Sequence, residues 1–146
     1  MARLQDIAEL LVASWVLSGQ DRNAPEPLPA PHGILDRALK QAMGAGAFPQ
    51  EWAQRLHFVD SRVGLKCVEL QAVIDVAQQA EFTSEPNPSY KATRVKICNR
   101  AARALLRRHG DITEEMATQW GALLHQAVEE TSAAQDQFLG VLSASG

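Results

Sequence analysis

The stretch NPSYKATRVKICNRAARALLRRHG, residues 87–110, decides how the rest of the chain is read. Asn87 followed by Pro88 has the form of an N-cap with proline at the first helical position, and Gly110 can take the left-handed conformation that closes a helix. The spacing between them predicts a helix over 88–109. Cys98, Ala101, Ala102 and Leu105 fall on one face of it, and Lys96, Arg100, Arg103 and Arg107 on the opposite face.

Working outward, Asp111 with Glu114 three residues later gives a capping-box-like start to a final helix. Along it Ile112, Met116, Trp120, Leu123, Ala127, Thr131, Ala134, Phe138 and Val141 follow one stripe. On the other side, the Asp60–Ser61 pair is read as the cap of a helix over 62–82, with Val63, Cys67, Leu70, Ile74 and Ala77 as its seam. Gly64 weakens the start of that helix. Leu4, Ile7, Leu11 and Trp15 make one stripe of a first helix over 2–18. Ile34, Leu35, Ala38, Leu39 and Ala42 give a short helix over 33–43, ended by Gly44 and Gly46. Pro49 suits the first turn of a helix carrying Trp52 and Leu56. Prolines at 25, 27, 29 and 31 interrupt both helix and ladder hydrogen bonding, so 19–31 is expected as an extended strap.

The fold expected is therefore all-α: a compact bundle of about five helices with a Pro-rich extended segment and a long C-terminal helix. It forms one domain over 1–146, divided into a helix over 1–18, the linker over 19–31 and the main bundle over 32–146. A chain of 146 residues, 46% hydrophobic, can bury a core without staples. Its two cysteines, Cys67 and Cys98, make no disulfide framework and are expected in the core of a cytoplasmic protein. The apolar run 10–17 is too short to span a membrane, and Asp6 and Glu9 stand where a secretory signal would be positive. Trp15, Trp52 and Trp120 are expected as core anchors.

The net charge is only −3, but the charges are segregated. Lys91, Arg94, Lys96, Arg100, Arg103, Arg107 and Arg108 supply half of the 14 basic residues, with no acidic residue between Glu85 and Asp111. After Arg108 the chain is purely acidic in its charges. A row of arginines on one helix face suits successive phosphates, which it positions without reading sequence. Lys91, Lys96, Arg100, Arg103, Arg107 and Arg108 are accordingly the candidate nucleic-acid-binding residues. A sequence pI near 5.8 argues against a freestanding nucleic-acid binder. The expectation is a non-catalytic subunit of an assembly, contacting protein neighbours and the backbone of RNA or single-stranded DNA.

In size, helical content and charge layout this design is similar to the small helical subunits of CRISPR effector complexes, a likeness of architecture carried by no motif. The alternative is an adaptor or self-associating bundle, in which the basic face meets Glu114, Glu115, Glu129 and Glu130 of another copy. A second alternative comes from Arg103 and His109, whose spacing resembles the arginine–histidine element of helical HEPN-type ribonucleases. That resemblance implies phosphodiester cleavage by those two side chains. His32, His57, His109 and His125 show no metal-ligand spacing, so neither metal nor cofactor is expected. His125 with Glu129, one turn away, reads as a surface pair.

Overall fold

The computed structural model describes residues 3–19, 26–31, 33–62, 64–86 and 92–145, and the side chains among these except at 85–86 and 135–145. The expected cap at Asn87 and Pro88, together with Lys91, His32 and Pro25, lies outside the described residues, as do the side chains of Phe138 and Val141.

Six helices are described: α1 (Leu4–Leu17), α2 (Ile34–Gly44), α3 (Trp52–Arg55), α4 (Leu70–Gln79), α5 (Asn99–Leu106) and α6 (Glu114–Ser145). The all-α expectation is nevertheless overturned, because two antiparallel sheets accompany them. One is the hairpin β2 (Phe58–Ser61) and β3 (Gly64–Cys67); the other has three strands in the order β1 (Leu28–Pro29), β5 (Ala92–Val95), β4 (Thr83–Pro86). The chain is mixed α and β rather than a helical bundle.

Both corrections have a local cause. In the stretch Thr93-Arg-Val-Lys-Ile97, buried or half-buried residues alternate with exposed Arg94 and Lys96, the period of a half-buried strand. The helix expected over 88–109 is therefore cut to α5. The helix expected over 62–82 loses its first part in the same way. Gly64, at φ +111°, turns the chain so that Ser61 pairs with Gly64 and Phe58 with Cys67. A four-and-three spacing of apolar residues fits a helix, yet Cys67 of that seam ends β3 while Leu70, Ile74 and Ala77 lie on α4; Val63 is outside the described residues.

Proline explains the order of the larger sheet. Pro29 and Pro86 sit in β1 and β4, the two edges, while β5 in the middle contains no proline. An edge strand can dispense with one ladder donor and a central strand cannot. The segment over 26–31 is thus more than a surface strap: Leu28 is fully buried and pairs with Thr93. The Trp15 indole N–H donates to the Glu26 carbonyl at 2.8 Å and stacks on the His125 ring, whose Nδ1 lies 3.4 Å from the Glu26 carboxylate. His125 is therefore committed to this clasp and not to Glu129.

Helix α1 is the axis of the molecule. Every residue from Ile7 to Val16 is buried, so the single stripe read from the sequence understates it; α4, α5 and α6 each pack against it. A helix apolar on all sides belongs at the centre of a fold. Trp15, Trp52 and Trp120 are all buried, as expected of anchors. Helix α2 packs against α6, where Gln41 hydrogen-bonds Glu130, and against β3, where the buried carboxylate of Asp36 accepts the Cys67 N–H at 2.7 Å. That carboxylate also accepts the Gly33 N–H at the start of α2, at 3.1 Å.

The crossing of α1 and α6 turns on Gly121. Glycine weakens a helix interior by roughly 1 kcal/mol relative to alanine, but here a methyl group would drive into the Ser14 carbonyl oxygen of α1. Gly121→Ala is expected to destabilise the protein by about 2–3 kcal/mol despite its better helix propensity. Urea denaturation checks this, and an unchanged or raised midpoint would refute the close crossing.

Candidate functional site at the α5–α6 turn

Glu9 is the one charged residue between Ile7 and Leu17, and its side chain is only 1% exposed. A carboxylate removed from water must be met by charge or hydrogen bonds. The short turn from α5 to α6 supplies them. His109 Nε2 stands 2.9 Å from Glu9 Oε1, and the Arg108 guanidinium 2.9 Å from Oε2. The first contact is a hydrogen bond; the second has the distance of an ion pair without hydrogen-bond alignment, which leaves Oε2 without a donor. Hydrogen bonds from the His109 N–H to the Leu106 carbonyl and from the Ile112 N–H to the His109 carbonyl, both 2.9 Å, hold the turn in place.

One turn before Glu9 on α1, Asp6 completes the group: its carboxylate, that of Glu9 and the His109 ring bring their nearest ligating atoms within 4.8 Å of one another. Burial alone would raise the Asp6 pKa. Hydrogen bonds from the Arg3 side chain and backbone, joined by the charges of Arg3 and His109, outweigh it and hold the carboxyl below its usual range. Asp6, Glu51, Trp52, Arg108, His109 and Asp111 contribute to the walls of a cavity of about 400 Å³ beside this cluster. A second depression of about 250 Å³, also lined by His109, has Arg103, Arg107 and Glu114 among its walls.

The candidate phosphate contacts divide. Lys91 is outside the described residues. Arg100 is exposed on the side of α5 turned away from buried Ala102 and Leu106, Arg107 is exposed at the C-cap that follows α5, and Lys96 is exposed just after β5. Among the described residues none of these three has a carboxylate within ion-pair reach. Arg103 instead bonds Glu114 at 2.9 Å, and Arg108 is taken by Glu9. The expected row of outward-pointing cations is therefore shortened, both because its first part is strand and because two of its members are engaged within the chain.

Asp6 and Glu9 were legible only as charges in a helix. The signal that could have raised Glu9 is its isolation: a lone acid inside a run apolar on every face must have a buried partner. His109 was noted for its place at a helix end and for its spacing from Arg103. The fold instead joins it to residue 9, one hundred positions away in sequence.

The cysteines correct a further expectation. Cys67 is buried, and burial pushes its thiol up to about 11, whereas Cys98 is exposed before α5. Backbone N–H groups of Ala101 and Arg100 hold the Cys98 thiol below its usual value. Comparison of the chain with protein-family models, with curated proteins and with solved structures finds no match in any of the three.

Two outcomes follow from this geometry. Glu9→Ala should cost about 1–3 kcal/mol in urea denaturation, because it leaves the largely buried His109 ring without its acceptor while the more exposed Arg108 returns to water, and Glu9→Gln should cost less because it still accepts from His109. A Glu9→Ala protein as stable as the parent would refute the buried cluster. In thiol titration with an aromatic disulfide at neutral pH, Cys98 should react in the native protein and Cys67 only after unfolding; two equally fast thiols would contradict the placement.

Proposed function

We propose that the chain is a non-catalytic member of a cytoplasmic assembly that lays the outer face of α5 against a phosphate backbone of RNA or single-stranded DNA. The observation that carries this reading is the exposure of Arg100 on α5 and of Arg107 at its C-cap, with Lys96 exposed ahead of them and no carboxylate claiming any of the three among the described residues. Arg103 remains available as a fourth contact. Its partner Glu114 is about half exposed, and such surface pairs are worth roughly 0–1 kcal/mol, so a phosphate can replace it. Arg108 is excluded from the contact set because the buried Glu9 carboxylate holds it.

The footprint is small, which suits a subunit whose affinity is shared with protein neighbours. The likeness to small subunits of CRISPR effector complexes rested on an all-helical architecture and carries no argument once the two sheets are counted. In the self-associating alternative Glu114 and Glu130 would have to exchange their bonds to Arg103 and Gln41 for cations of another copy. No helix among the described residues is long and apolar enough to cross a membrane. Two free cysteines suit a reducing compartment.

Binding of a labelled single-stranded RNA should weaken with salt, with a slope of log K against log salt of about −2 to −3, as for three or four phosphate contacts. Arg100→Glu with Arg107→Glu should abolish it whatever the base sequence, while the RNA stays uncut. A salt-independent complex, or one untouched by the double charge reversal, would defeat the proposal; RNA cleavage lost in His109→Ala would replace it with the ribonuclease alternative.

A further inference from the structure

We propose that Asp6, Glu9 and His109 form a binding site for a divalent transition-metal cation such as Zn²⁺ or Mn²⁺. The three side chains come from α1 and the α5–α6 turn, and their ligating atoms lie within 4.8 Å of one another. Glu9 Oε1 and His109 Nε2 are 2.9 Å apart, the separation of two ligands set about at right angles on an ion roughly 2.1 Å from each.

A second observation points the same way. Glu9 is fully buried, and its Oε2 has no hydrogen-bond donor. Arg108 stands beside that oxygen but out of line with it, and more than half of the Arg108 side chain is exposed, so it can leave toward solvent when a cation of higher charge arrives. At Asp6, both contacts from Arg3 fall on Oδ2, so Oδ1 is left to ligate.

Charge and access agree with such an ion. Arg3 and Arg108 balance the two carboxylates when no ion is bound; with Arg108 displaced, one nitrogen and two carboxylate oxygens are a donor set for zinc or manganese, while calcium prefers six to eight oxygens. Asp6 and His109 face the cavity of about 400 Å³, whose walls also carry Glu51 and Asp111. Asp6, Glu51 and Asp111 together outnumber Arg108 on these walls, and the cavity gives water the remaining coordination positions. Metal-ligand spacing in the sequence could not reveal the set, because local patterns do not join residues 6 and 9 to residue 109.

The test is calorimetric titration of the full chain, freed of metal by chelator dialysis, with Zn²⁺ and separately with Mn²⁺. One-to-one binding is expected for at least one ion, weakened by at least about tenfold in Asp6→Asn and in His109→Ala. Cys98→Ser and His57→Ala, which remove exposed ligands elsewhere, should leave it unchanged. Asp6 is only half-buried, so Asp6→Asn keeps the inference testable even if His109→Ala fails to fold. Mn²⁺ should also broaden the amide resonances of residues 6, 9 and 109 before others. Absence of saturable binding, affinity unchanged in Asp6→Asn, or broadening centred elsewhere would overturn the site.

Discussion

A carboxylate taken out of water has to be answered by opposite charge, and in this chain that requirement falls on Glu9. Helix α1 is buried along ten consecutive residues, from Ile7 to Val16, so Glu9 has no route to solvent of its own. Arg108 and His109 answer it from the turn that joins α5 to α6. The contact ties the turn between α5 and α6 to α1, beside the cavity that Asp6 lines. The arrangement is also asymmetric in energy: loss of Arg108 or His109 would leave Glu9 an incompletely compensated buried charge, while Arg108, more than half exposed, would return to water on loss of Glu9.

Around that axis the remaining elements are placed by exclusion. Gly121 lets α6 approach α1 more closely than any side chain would permit. The prolines of β1 and β4 confine these strands to the edges of a sheet whose centre is β5. Trp15 fastens β1's approach by giving its indole N–H to Glu26 and its ring face to His125. Each of these contacts uses a group that would be costly elsewhere: a glycine in a helix, a proline in a sheet, an indole N–H in a core.

The same buried cluster separates the two roles proposed for this corner of the molecule. Arg108 belongs to the interior charge balance, and Arg100 and Arg107 to the surface. A cation held by Asp6, Glu9 and His109 would stand on the inner side of the turn, and a phosphate backbone on the outer face of α5. Neither requires the other.

Much was legible in the residues themselves. The helical spans of α1, α2 and α6 follow from apolar spacing and their breakers, and the three tryptophans were recognisable as anchors, because these features depend on neighbours a turn or two away. The hairpins were not recovered. In 62–82 a four-and-three spacing is compatible with a helix until Gly64 turns back on Ser61, and in 92–97 the alternation of a strand was masked by arginines that also suit a helix face. The local pattern limited what could form, and pairing with a distant segment selected among the possibilities: Thr93 finds Leu28, and β5 becomes a strand. The sequence alone therefore determined which residues are apolar, where helices can start and stop, and that positive charge gathers over 91–108. Tertiary structure alone decided which of those charges are free, because Glu9 draws Arg108 and His109 to itself across about a hundred positions, as a buried carboxylate must be met by charge or hydrogen bonds.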